Sequence, residues 1–135
     1  MATNTYSNIA NTAAEAITMG LILYQVSATT VGIIDDATQI NCIKTLPLGV
    51  SVRDCSAGDP VEIQDGGIVK CLAGGTIAIG DRIMPKASAG SGIAYAKTGL
   101  TDKDVVYIVG YARSAASSGG YFDLEIKIDT FVEGV

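Results

Sequence analysis

The stretch GDPVEIQDGGIVKCLAGGTIAIGDRIMPKASAGSGI, residues 58–93, decides the fold class. Runs of three to five residues rich in Val and Ile alternate in it with Gly, Asp and Ser, the pattern of short strands separated by turns. Asp65-Gly66 stands between VEIQ and GIVK, where a two-residue type I′ hairpin is expected because that dipeptide tolerates positive φ. Gly58-Asp59-Pro60-Val61, with a following Gly67-Ile68, recurs as Gly80-Asp81-Arg82-Ile83, with a following Gly92-Ile93, at a spacing of 22 residues that lengthens by three in the second loop. Each copy reads as a turn, a short strand, a glycine-rich return and another strand. A weaker echo relates Leu48-Gly49-Val50-Ser51 and Asp59 to Ile63 with Val109-Gly110-Tyr111-Ala112 and Tyr121 to Ile126. Both echoes are read as repeated hairpin geometry inside one barrel, being too few for a solenoid.

Outward from this centre the same grammar holds. Candidate strands are Leu21 to Ser27, Thr30 to Ile34, Gln39 to Ile43, Leu48 to Val52, Pro60 to Ile63, Ile68 to Leu72, Arg82 to Pro85, Ile93 to Ala96, Val105 to Ala112 and Tyr121 to Ile128. Past residue 20 no segment carries a helical stripe. In the last strand Phe122, Leu124, Ile126 and Ile128 alternate with Asp123, Glu125, Lys127 and Asp129, which sets one face inward and one in water. Val105 to Val109 is apolar throughout and is expected to be covered on both sides. The fold class that follows is all-β: a single small barrel or sandwich, residues 20–135, preceded by an extended N-terminal arm, residues 1–19.

The arm differs in composition. Asn, Thr, Ala and Ser dominate it, Glu15 is its only charged side chain, and its larger apolar residues, Tyr6, Ile9 and Ile17, are widely spaced. Such a segment buries too little apolar surface to offset its own ordering entropy. Ala13, Ala14, Glu15 and Ala16 favour a short helix over Thr12 to Met19, but isolated helices of that length are marginal in water.

With 135 residues, 48% hydrophobic and 17% charged, the chain has the means for one domain with a real core. A charged share this far below the usual quarter also fits a surface partly covered by a partner. Its formal net charge of −5 argues against direct nucleic-acid binding. There is no His and no Trp, which removes the commonest general base and metal ligand and every nucleophile that relies on an imidazole. Neither a cofactor, nor a metal, nor a catalytic residue is expected. Cys42, Cys55 and Cys71 form no CxxC pair and read as buried thiols in a reducing compartment. The Gly-Asp steps at 58–59 and 80–81 are turns that use the aspartate's local hydrogen bonding, not cation loops. No secretory signal and no apolar run of membrane length is present, so neither export nor a membrane partner is expected.

The string LGVSVRDCSAGDPVEIQDGGIVKCLAGGTIAIGDRIMPKASAGSGIAYAK, followed by VGYARSAASSGGYFDLEIKI, resembles the small capsid decoration or cement proteins of tailed phages over about residues 20–128. The resemblance implies a compact β domain of β-tulip-like character, self-associated as a homotrimer, seated on the major capsid protein at local threefold positions of the outer head and reinforcing the expanded shell. It implies a virion location after synthesis in the host cytoplasm. Tyr6, Ile9 and Ile17 are then the expected capsid-binding anchors of the arm, and removal of residues 2–17 is expected to leave a folded core. The alternative is a phage tail tube, fibre or baseplate subunit, which shares the β content but assembles into rings or shafts.

Overall fold

The computed structural model describes residues 11–95 and 104–133. In chain order these form β1 (Thr12–Ala13), β2 (Ile22–Gln25), β3 (Thr30–Ile33), α1 (Gln39–Ile43), β4 (Gly49–Ser51), β5 (Ile63–Gln64), β6 (Gly67–Leu72), β7 (Arg82–Pro85), β8 (Gly92–Ala94), β9 (Asp104–Ala112) and β10 (Tyr121–Glu133). The all-β class stands. The strands divide between two five-stranded sheets, ordered β1-β3-β2-β4-β5 and β6-β10-β9-β7-β8. Each sheet curls until its outer strands meet: Thr12 in β1 bridges Pro60 ahead of β5, and Ala73 beyond β6 bridges Gly92 in β8.

The two sheets are copies of one plan. The order β3-β2-β4-β5 in the first is repeated as β8-β7-β9-β10 in the second. Adding 60 or 61 to a residue number in one reaches its counterpart in the other, as Ile17 paired with Cys55 becomes Ile77 paired with Ala116. Backbone bonds repeat likewise. The Gly58 N–H donates to the Ala13 carbonyl at 2.8 Å, and the Gly119 N–H to the Ala73 carbonyl at 2.8 Å. The Gly20 N–H reaches the Ser51 carbonyl at 2.9 Å, and the Gly80 N–H the Ala112 carbonyl at 2.8 Å. All four glycines have φ between +87° and +91°, a region open mainly to glycine. The weak echo of residues 48–63 with 109–126 is therefore the real repeat. The stronger one, at a spacing of 22, relates the second turn of one sheet to the first turn of the other.

Three local expectations are corrected. Gln39–Ile43 is a helix and not a strand. Asp36 starts it: its carboxylate accepts the Thr38 N–H at 3.0 Å, the Thr38 hydroxyl at 3.1 Å and the Asn41 amide at 3.2 Å, an Asx turn that holds the chain in helical hydrogen bonding. These bonds, the Thr38 N–H first, also hold the Asp36 carboxyl below its ordinary range. Asp65-Gly66 makes no hairpin. The positive φ falls on Gly67, and the turn carries the chain from β5 in one sheet to β6 in the other. Residues 11–19, expected within the arm, belong to the folded body: Thr12–Ala13 is a strand beside β3, and Ala13 and Ile17 are 3% and 1% exposed. Without them the first sheet loses both its closing strand and part of its core, so removal of residues 2–17 would not leave the fold intact.

The main core joins the two sheets, with Ile22, Ile34 and Val50 from the first packed among Val69, Ile83, Val109, Phe122 and Leu124 from the second. A smaller core inside the first sheet gathers Ala13, Ile17, Leu23, Val31 and Ile63. Gln39 clamps α1 to the second sheet, donating to the Pro85 carbonyl at 2.6 Å and accepting the Ala87 N–H at 2.8 Å. The Gly-Asp steps are turn braces, as expected: Asp81 accepts the Ala78 N–H at 2.8 Å and Asp59 the Ser56 N–H at 3.3 Å.

Two predictions follow from this packing. A Cβ at Gly110 would overlap the Glu125 carbonyl oxygen on the pairing strand, whereas one at Gly58 meets open space. Gly110→Ala is therefore expected to cost roughly 3 kcal/mol or more and Gly58→Ala about 1–2 kcal/mol for the left-handed backbone alone; denaturant midpoints reporting the reverse order would contradict the pairing. Cys71 is fully buried, and burial pushes its thiol from an ordinary value near 9 up to about 12, against a smaller opposing bond from the Gly92 backbone. The folded state thus keeps a proton that the unfolded chain releases above about pH 8.5. This contribution to stability is whole below that pH and lost as pH rises toward 12, at up to ~1.4 kcal/mol per pH unit. In urea melts between pH 8 and 11, Cys71→Ala should flatten that decline relative to the wild-type chain; an equal slope would contradict the burial.

Candidate functional site

The polar side chains of the described residues serve the fold. None of the buried side-chain nitrogen or oxygen atoms among them lacks a hydrogen-bond partner. Ser51, fully buried, donates to the Thr18 carbonyl at 2.7 Å and accepts the Leu21 N–H at 3.0 Å. Glu15 accepts the Ile33 N–H at 3.1 Å, which ties residues 11–19 further to β3. Three surface ion pairs, Arg53 with Glu62 at 2.5 Å, Lys70 with Asp123 at 2.7 Å, and Arg113 with Glu125, brace the outer faces. Exposed pairs of this kind contribute about 0–1 kcal/mol each.

No group of three or more Cys, Asp or Glu among the described residues is placed to hold a metal ion. The three thiols are free, and burial raises all of them, with the Asp36 charge adding at Cys42 and the Asp59 charge at Cys55. Raised thiols stay protonated at neutral pH and are poor nucleophiles. The cleft bordered by Tyr24, Ile33, Ile34 and Thr45 offers two carboxylates, Asp35 and Asp36, of which Asp36 is already engaged at the start of α1.

What the surface offers is shape and apolar area. Of the three expected anchors, Tyr6 and Ile9 lie outside the described residues. Ile17 is a core residue whose N–H donates to the Cys55 carbonyl at 2.9 Å and whose carbonyl accepts the Cys55 N–H at 2.8 Å. A side chain so held is not free to engage a partner. The exposed apolar residues lie elsewhere. Ile79, at a turn tip, is 72% exposed; Ile68 in β6 and Leu46 ahead of β4 are more than half exposed. Val105 and Val132 are cross-strand neighbours in β9 and β10 and are 47% and 43% exposed. The expected cover on both sides of Val105 to Val109 holds at the inner end, where the neighbours Ile108 and Val109 are both buried, and fails at Val105. Val106 and Ile108 face the core, while Val105 stands in solvent. Ile128, expected inward, is exposed because the β10 register shifts between Ile126 and Asp129, a bulge that breaks the alternation. The apolar character of these strands was visible in the sequence; the missing cover was not.

Comparison with known proteins bears on what such a surface is for. The chain matches the phage cement protein family over residues 26–128. Among solved structures it is similar to the N base of the head fiber protein of bacteriophage phi29, with a TM-score of 0.60 and 22% identity over 87% of this chain and 90% of that one. At that identity the likeness speaks to the fold. No curated protein sequence matches. The match takes in strands of both curled sheets and most of the chain, and the chain belongs to the phage cement protein family.

Proposed function

We propose that this protein is a non-enzymatic cement subunit that binds the outer surface of a phage capsid, as a trimer at local threefold positions, and stabilises the expanded shell. The family match across residues 26–128 carries this reading. A rigid, internally saturated β body with exposed apolar residues and no assembled catalytic group among its described residues fits a part that works by bridging neighbours. The likeness in fold to a head fiber base favours the head over the tail among phage structures.

Physics supplies the advantage. A cyclic trimer at a threefold point makes three identical contacts at once. Joined on one rigid body, these gain ~10² or more in avidity over a single contact. Binding only to the assembled, expanded form shifts the shell toward that form by mass action. The net charge of −5 keeps the subunit from adhering to packaged or released DNA.

The arm enters as residues 1–10, ahead of the folded body. Ten extended residues reach about 33–36 Å, and Tyr6 and Ile9 are the side chains we assign to the capsid, by addition to a strand edge or insertion in a groove. The major capsid protein is the partner; neither nucleic acid nor membrane is involved.

Deletion of residues 2–10 is expected to leave the thermal transition within a few degrees of the full chain and to weaken binding to undecorated expanded heads at least tenfold in co-sedimentation. Full-strength binding by the truncated chain would dismiss the arm. Binding of the full chain to isolated tails and not to heads would replace the cement reading with the tail alternative.

A further inference from the structure

The internal repeat shows where this chain carries something its shared plan does not need. In the first sheet β4 and β5 are three and two residues long. Their counterparts β9 and β10 run to 9 and 13 residues and continue together as a two-stranded ribbon, with Ile108 opposite Asp129, Tyr107 opposite Thr130 and Val105 opposite Val132. On its other side β10 is paired with β6 only as far as Ile126 opposite Gly67. From Lys127 to Glu133 no strand among the described residues covers that edge. Among the described residues the outer strands of both sheets are met by curling, while the far edge of β9 is paired with β7 only at Gly110 and Tyr111. Val106 on the ribbon's inner face packs with Ile43 of α1 and Met84 of β7, so that face is closed; the outer face shows Val105 and Val132.

A long, uncovered strand edge beside exposed valines is a template for another strand. The sequence of the edge, Lys127-Ile128-Asp129-Thr130-Phe131-Val132-Glu133, is complementary to its own reverse at its two outer positions on each side. Laid antiparallel to itself about Thr130, it sets Lys127 opposite Glu133 twice and Ile128 opposite Val132 twice, with Asp129 opposite Phe131 between them. Opposite charges and apolar pairs facing one another are the cross-strand combinations that stabilise a ladder, at roughly 0.2–1 kcal/mol each. A strand that pairs with its own copy does so by an isologous, twofold contact.

We propose that the β10 edge, residues 127–133, joins two copies of this chain antiparallel about Thr130, making one continuous sheet across the pair. This contact is distinct from a threefold interface and from the arm. On a shell it would tie subunits seated at neighbouring positions to one another across a twofold direction, so that the cement is itself a net and not a set of separate rivets. It stands or falls in the absence of heads.

The test uses the full chain alone. Thr130→Cys, oxidised mildly, is expected to give a disulfide-linked species of two chains on a denaturing non-reducing gel, whatever larger assembly exists in solution, while Ser118→Cys at an exposed turn tip does not. Lys127→Glu is expected to weaken self-association at least tenfold in sedimentation equilibrium, and adding Glu133→Lys to it restores the wild-type value. Failure of Thr130→Cys to link, or of the double exchange to recover association, overturns the proposal. Head binding by the same variants is read separately, so that loss of pairing with retained head binding leaves the cement reading untouched.

Discussion

Two reciprocal pairs of backbone hydrogen bonds, Ile17 with Cys55 and Ile77 with Ala116, hold this molecule in shape. Each ties the loop leading into one glycine turn to the loop leading into another, and so fixes where four strands begin. The turns can lie close because Gly20, Gly58, Gly80 and Gly119 adopt positive φ, which lets each chain double back within its own bond pattern. Once the turns are braced, each sheet has little choice but to curl, and its outer strands meet. The shared core of Ile22, Val50, Val109 and Phe122 then locks the two curls into one body.

That dependence on backbone geometry explains what the amino-acid sequence revealed and what it hid. The strand content was legible because Val, Ile and Gly alternate with turn residues, and β2, β3, β4, β6, β7, β8, β9 and β10 fall on expected runs. The repeat was nearly invisible because it resides in glycine φ angles and carbonyl partners, which Ala13 and Ala73, or Cys55 and Ala116, satisfy equally well. Gln39–Ile43 misled because its apolar residues suit a strand, while the helix is set by Asp36 and by the burial of Cys42 and Ile43. Residues 11–19 misled in the opposite sense: within a polar segment Ala13 read as a helix former and Ile17 as a spaced anchor, whereas both are buried in the core of the first sheet.

The apolar character of the exposed strands was legible in the sequence and their exposure was not. The absence of His, the turn-bound aspartates and thiols of which Cys42 and Cys71 are buried and Cys55 half-buried all point away from reaction chemistry and toward contact surfaces. Of the named anchors, Ile17 proved to be part of the core. The exposed valines of the β9–β10 ribbon, by contrast, read as interior residues because apolarity marks an interface as readily as a core. Only the strand pairing separates the two, since it shows an edge from Lys127 to Glu133 with no neighbour among the described residues.

A member of the phage cement protein family with a doubled, cross-braced body, and with a ribbon edge unpaired among the described residues, fits the proposed role of one tile among many. The most direct measurement is an electron cryomicroscopy map of the virion with this chain fitted into it. Density for the two curled sheets on the outer face of the head, in register with the capsid lattice, is the result expected. A head surface bare of it, or the same density confined to the tail, would contradict the reading.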